Sequence, residues 1–152
     1  MRPASPALLT LLVAVPLLSA ARTVDHYPLA NGVGSAALRL ADGRLDSFRP
    51  AIYAALDEGL ATPELAYDAY FGLRTATTSR WLTELPVDEL IPEDDAVTLA
   101  VVQHEGALRV ETRWLSPWGL ARPAVLAVVT LTNTGATPQA GLSLVSLVNF
   151  RL

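Results

Sequence analysis

The 152-residue chain has no cysteine, no lysine and only two histidines. Without cysteine there is no disulfide framework and no thiol for a lipid. A thiolate metal site is excluded too, and His26 and His104 lie far apart in sequence. Every cation is an arginine, and the formal net charge is −4. A mildly acidic chain with scattered arginines lacks the clustered basic surface that nucleic acid requires. Charged residues make up 17% of the chain and hydrophobic residues 51%. No internal repeat or low-complexity tract divides it.

Part of the apolar excess is N-terminal. Arg2 precedes "ALLTLLVAVPLL" (Ala7 to Leu18), and "SAA" (Ser19 to Ala21) follows. A positive start, an apolar core and small residues at a cleavage point predict a signal peptide over residues 1–21. The run is shorter than the about 20 apolar residues of a membrane span. The expected product is exported, periplasmic or extracellular, with no stable membrane span after cleavage. About 130 residues remain, enough to bury a core.

Residues 22–34 read as an extended, Gly-rich lead-in. "SAALRL" (Ser35 to Leu40) and "RLDSF" (Arg44 to Phe48) flank Asp42-Gly43, a tight-turn dipeptide, and predict a hairpin. Near residues 51–66 the apolar period changes, with Ile52, Ala55 and Leu56 at helical spacing, which predicts a short helical excursion. "AYFGLRTATTSRWLTELP" reads as a second hairpin and "PVDELIPEDD" as an acidic, Pro-bounded loop. "AVTLAVVQ", "HEG" and "ALRVETRW" read as strand, turn, strand, with Leu108 and Val110 alternating against Arg109, Glu111 and Arg113. "AVLAVVTLT" and "GLSLVSLVNFRL" add two strands around the turn-rich "NTGATPQA". Short strands with regular turn signals predict an all-β fold, an antiparallel β-sandwich over residues 35–152. Because "NFRL" ends inside an apolar strand, the sandwich is expected to be incomplete and the chain to be the N-terminal piece of a longer polypeptide.

Motifs for chemistry are few. "GVGSAA" (Gly32 to Ala37) matches the dinucleotide fingerprint in letters, but no strand precedes it and no helix follows, so a glycine-eased entry to the first strand is expected. His104-Glu105 sits in an expected turn, without the second histidine four residues away that a zinc helix needs. The acidic Glu93 to Asp95 stretch, Asp57-Glu58 and Asp88-Glu89 read as solvated loop acids, and no spacing selects a catalytic carboxylate pair. There is no G-x-S-x-G elbow. No catalytic, cofactor or metal residue is expected. Aromatics are the better candidates. Tyr70, Trp81, Trp114 and Trp118 are the contacts expected for a ligand or a domain interface, with Trp118 the most exposed.

"GVGSAALRLADGRLDSFRP" (Gly32 to Pro50) resembles the opening of the N-terminal β-sandwich of bacterial glucoamylase-like proteins, the six-hairpin glycosidases of the glucoamylase and trehalase group. Gly34, the Asp42-Gly43 turn, the return strand Leu45 to Phe48 and Pro50 carry the resemblance. "VVTLTNTGATPQAGLSLVSLVNF" is similar to the strand–turn–strand of such sandwiches. Ser47 stands where that family has an aromatic residue. The resemblance implies a non-catalytic accessory sandwich packed on a downstream catalytic domain of the same polypeptide, with carbohydrate as the parent enzyme's substrate. Its catalytic carboxylates would lie downstream, so none is carried over. The alternative is a stand-alone exported sandwich that binds carbohydrate or protein.

Overall fold

The structure, a computed structural model, describes residues 25–50, 64–93 and 97–150. The expected signal peptide lies outside these residues, as does the expected helical excursion near residues 51–66 except for its last three residues, of which Ala66 already begins a strand. Among the described residues ten strands follow in order: β1 (His26–Ala30), β2 (Gly34–Arg39), β3 (Leu45–Pro50), β4 (Ala66–Arg74), β5 (Ser79–Trp81), β6 (Glu89–Pro92), β7 (Thr98–Glu105), β8 (Leu108–Leu115), β9 (Leu126–Asn133) and β10 (Ser143–Phe150). Every pairing is antiparallel. A six-stranded sheet runs β1-β2-β3-β4-β10, with β5 also paired to β4, and a four-stranded sheet runs β6-β7-β8-β9. This is the all-β, sandwich-like architecture expected from the alternation. Among the described residues, no helix is long and apolar enough to cross a membrane.

The period-2 pattern places the core. In β8, Leu108, Val110, Thr112 and Trp114 are buried, while Arg109, Glu111 and Arg113 point away. Leu29, Leu38, Leu45, Leu99, Val101 and Trp114 join the two sheets in one cluster. Leu73, Leu82, Leu85, Leu108 and Val110 form a second, and Phe71 packs against both. A 3₁₀ turn at Leu82–Glu84 is tied down by buried Gln103, whose Nε2 donates to the carbonyls of Leu82 (2.7 Å) and Leu85 (3.0 Å). Those bonds satisfy an amide that would otherwise be costly to bury.

Several expectations are corrected. The segment read as a lead-in contains β1, which pairs along its whole length with β2. The acidic loop contains β6, because β7 offers a free edge; its residues remain exposed and Pro92 ends it, as suits an edge strand. His104 and Glu105 end β7 rather than sit in the turn, which is Gly106-Ala107 with Gly106 at φ +58°. The Asp42-Gly43 hairpin exists, but its loop spans Leu40 to Gly43, closed by Arg39 N–H donating to the carbonyl of Arg44 at 2.9 Å. The return strand is not strictly alternating either. Pairing steps from Ala37–Ser47 to Leu38–Leu45, which leaves Asp46 as the extra residue of a β-bulge.

Candidate functional site

Gly43 explains why the β2–β3 loop looks as it does. It sits at φ +71°, and a Cβ there would lie 2.6 Å from Val101 Cγ1. Its carbonyl accepts the indole N–H of Trp114 at 3.0 Å. The loop is thus an inter-sheet latch that needs glycine twice over, for its backbone and for its lack of side chain. Asp42, buried beside it, pairs with Arg39, and this bond raises the Arg39 pKa above its ordinary value despite some desolvation. Trp114 is therefore a core residue, 4% exposed. Its position in β8, alternating with arginine and glutamate, was the signal for burial.

Gly32 to Ala37 is a hairpin turn and a strand. Buried Asn31 accepts the N–H groups of Val33 (3.2 Å) and Gly34 (3.0 Å) through Oδ1 and donates to the carbonyl of Pro117 (2.6 Å). The glycines serve this turn: Gly32 has φ +81°, and a Cβ on Gly34 would approach Pro123 Cβ to 2.7 Å. Trp118, in the connection after β8, is 61% exposed and lies over Gly32.

Tyr70 and Trp81 come together. Residues paired directly across strands share a face, so Trp81, Gly72 and Val145 form one row across β5, β4 and β10 on the outer face of the six-stranded sheet. The six-membered ring of the indole covers Gly72, where a Cβ would lie 2.9 Å from Cε3 and Cζ3. Tyr70 meets the ring edge-on, centroids 5.1 Å apart at 84°. Arg74, Ser79, Arg80, Glu84 and Val145 line a groove of about 400 Å³ with Trp81 and Gly72.

The same outer face carries a polar stripe that sequence reasoning missed. His26 Nε2 lies 2.8 Å from Asp46 Oδ2; Arg44 reaches Asp46 (3.2 Å) and Asp68 (3.4 Å); Asn149 donates to Asp68 (3.5 Å). The bulge turns Asp46 toward β1, and four strands contribute one residue each and the β2–β3 loop contributes Arg44, so no local motif could show it. Burial pushes the Asp46 carboxyl up, but the bond to His26 and the charges of Arg44, His26 and Arg39 outweigh it, and Asp46 titrates below its ordinary value. Neither His26 nor His104, which bonds Asp88 at 2.7 Å, is bonded to a hydroxyl among the described residues. No group of three metal-ligating side chains converges there. Glu93 pairs with Arg113 at 3.2 Å, while Asp94, Asp95, Asp57 and Glu58 lie outside the described residues.

The last feature is a cleft. Between β9 and β10 the sheets do not close, and an apolar cavity of about 350 Å³ opens, lined by Phe48, Phe71, Trp114, Val125, Val148 and Phe150 among others. Val148 and Phe150 face inward, opposite buried Ala69 and Ala66, yet are 44% and 66% exposed. Compared with protein-family models, with curated proteins and with solved structures, the chain matches none.

Proposed function

We propose that this chain is a non-catalytic accessory β-sandwich that packs its open flank on a partner domain. The partner is the catalytic domain of a secreted carbohydrate-active enzyme of the glucoamylase-like kind, carried on the same polypeptide. The observation that supports the reading is the β9/β10 cleft. Apolar side chains that alternate toward the sandwich interior are left exposed there, next to two strand edges that are unpaired among the described residues. Such a surface marks an interface or an aggregation site. The resemblance of Gly32 to Pro50 to glucoamylase-like sandwiches supplies the kind of partner.

Two measurements test it. The isolated chain should bind a hydrophobic dye and self-associate, and Val148→Ser with Phe150→Ser should suppress both; a dye-silent monomer with cooperative unfolding overturns the docking. An antibody raised to this chain should detect a native polypeptide much larger than it; a band at its own mass overturns the partner in cis. A second reading, a stand-alone exported sandwich that binds carbohydrate or protein, is favoured by the exposure of Trp118. It predicts glycan binding that Trp118→Ala abolishes, read on a glycan panel.

A further inference from the structure

We propose that the outer face of the six-stranded sheet binds a neutral saccharide at Trp81, with one pyranose ring lying on the indole. This site is independent of the open flank, since along β10 Val145 faces outward and Val148 inward.

Three observations carry the proposal. The first is a platform built before any ligand arrives. Gly72 gives the indole a seat on the sheet that any other residue would fill, and Tyr70 fixes its edge. A rigid aromatic face loses little entropy on binding. The second is polar groups with nothing to do. Arg74 and Glu84 are exposed, line the groove with Trp81, and enter no ion pair among the described residues. Arg80 reaches Glu105 only at 3.7 Å. The third is size, because a groove of about 400 Å³ lies within the range of small-ligand sites.

The chemistry selects the ligand class. A pyranose has an apolar C–H face, whose slightly positive hydrogens suit the negative face of an aromatic ring. Around its rim it carries vicinal hydroxyls, each both donor and acceptor. Arginine only donates and ionised glutamate only accepts, so Arg74 and Glu84 are complementary to such a rim. An apolar peptide segment would leave both charges unmatched. A polyanion would meet Glu84 and a chain of net charge −4.

The test is titration of the whole chain with maltotetraose, cellotetraose and mannotetraose, followed by tryptophan fluorescence and calorimetry. A Trp118→Phe background leaves Trp81 and buried Trp114 as the emitters. Saturable binding of at least one sugar is expected, unchanged by Trp118→Phe and abolished by Trp81→Ala. Arg74→Ala and Glu84→Gln should each weaken it about tenfold, the worth of one hydrogen bond to a charged group. Absence of saturation with all three sugars overturns the proposal, as does binding that survives Trp81→Ala. Should Trp81→Ala fail to fold, the exposed pair Arg74→Ala and Glu84→Gln decides the matter, and unchanged affinity overturns the site.

Discussion

The two flanks of the sandwich are built from the same kinds of residue and end in opposite states. On the β1 side, Leu29 and Leu38 are 0% exposed and share a cluster with Leu99 and Val101 of the other sheet. The Gly43 carbonyl and the Trp114 indole bolt that region together. On the β9/β10 side, Val148 and Phe150 point toward the same interior but line an open cleft and stay exposed. The difference lies in what each edge strand packs on. β1 is an edge strand too, but its Leu29 clusters with Leu99 and Val101 of the central strand β7, whereas β9 and β10, the edge strands of the other flank among the described residues, leave a cleft between them. Apolar alternation therefore says which way a side chain points, and neighbouring strands decide whether it is covered.

The largest effects are expected on the closed flank. Leu38→Ala removes a fully buried side chain from a site walled by both sheets and should cost about 3 kcal/mol, read from the urea midpoint at constant slope. Gly43→Ala should cost about 2–3 kcal/mol, combining a left-handed backbone with a clash against Val101. Trp114→Phe keeps an aromatic ring but leaves the Gly43 carbonyl without its donor, for about 1–2 kcal/mol. Val148→Ser, though equally inward-facing, should change stability by no more than about 0.5 kcal/mol while reducing dye binding. A loss of several kcal/mol there would mean that the flank is closed in solution, and the contrast would fail.

The smallest effect is a pH dependence. Asp46 titrates lower in the folded chain than an ordinary aspartate. Its contribution to stability is then fully present above the unfolded pKa and is lost as the pH falls through the lower, folded value. Asp46→Asn should lower stability in the neutral region, where that contribution is present, and converge on the parent chain below about pH 4, so that the acid limb flattens. Denaturant melts across that range check it. A variant that loses as much stability at pH 7 as at pH 3 would assign Asp46 to packing instead.

Much of the strand content was legible. β7, β8, β9 and β10 lie where the alternating runs put them, and the β4–β5 hairpin was readable from "AYFGLRTATTSRW". β6 was not, because Glu89 and Pro92 disfavour a strand and the segment pairs on the edge of β7. β1 was missed because Pro28 interrupts a short segment that pairs on the edge of β2. Of the aromatic candidates, Trp118 is exposed as expected, and Tyr70 meets Trp81 edge-on beside the groove that Trp81 lines. Trp114 went inside, as its place in the β8 alternation required. The polar stripe from His26 to Asn149 was invisible, since residues 26, 46, 68 and 149 become neighbours only through sheet order.

What the sequence determined by itself is local: an all-β chain with its strands, its turns, and the glycines at which turns become tight. Period-2 patterning, the freedom of glycine and the absence of cysteine act over a few residues and need no partner. Only the tertiary structure decided which strands lie at the edges. It thereby decided that Gly43 latches the two sheets, that Gly72 seats Trp81, and that Val148 and Phe150 stay in water. Those outcomes depend on pairings between segments as far apart as β4 and β10, and the entropy of closing such loops is met by the whole sheet rather than by any one stretch.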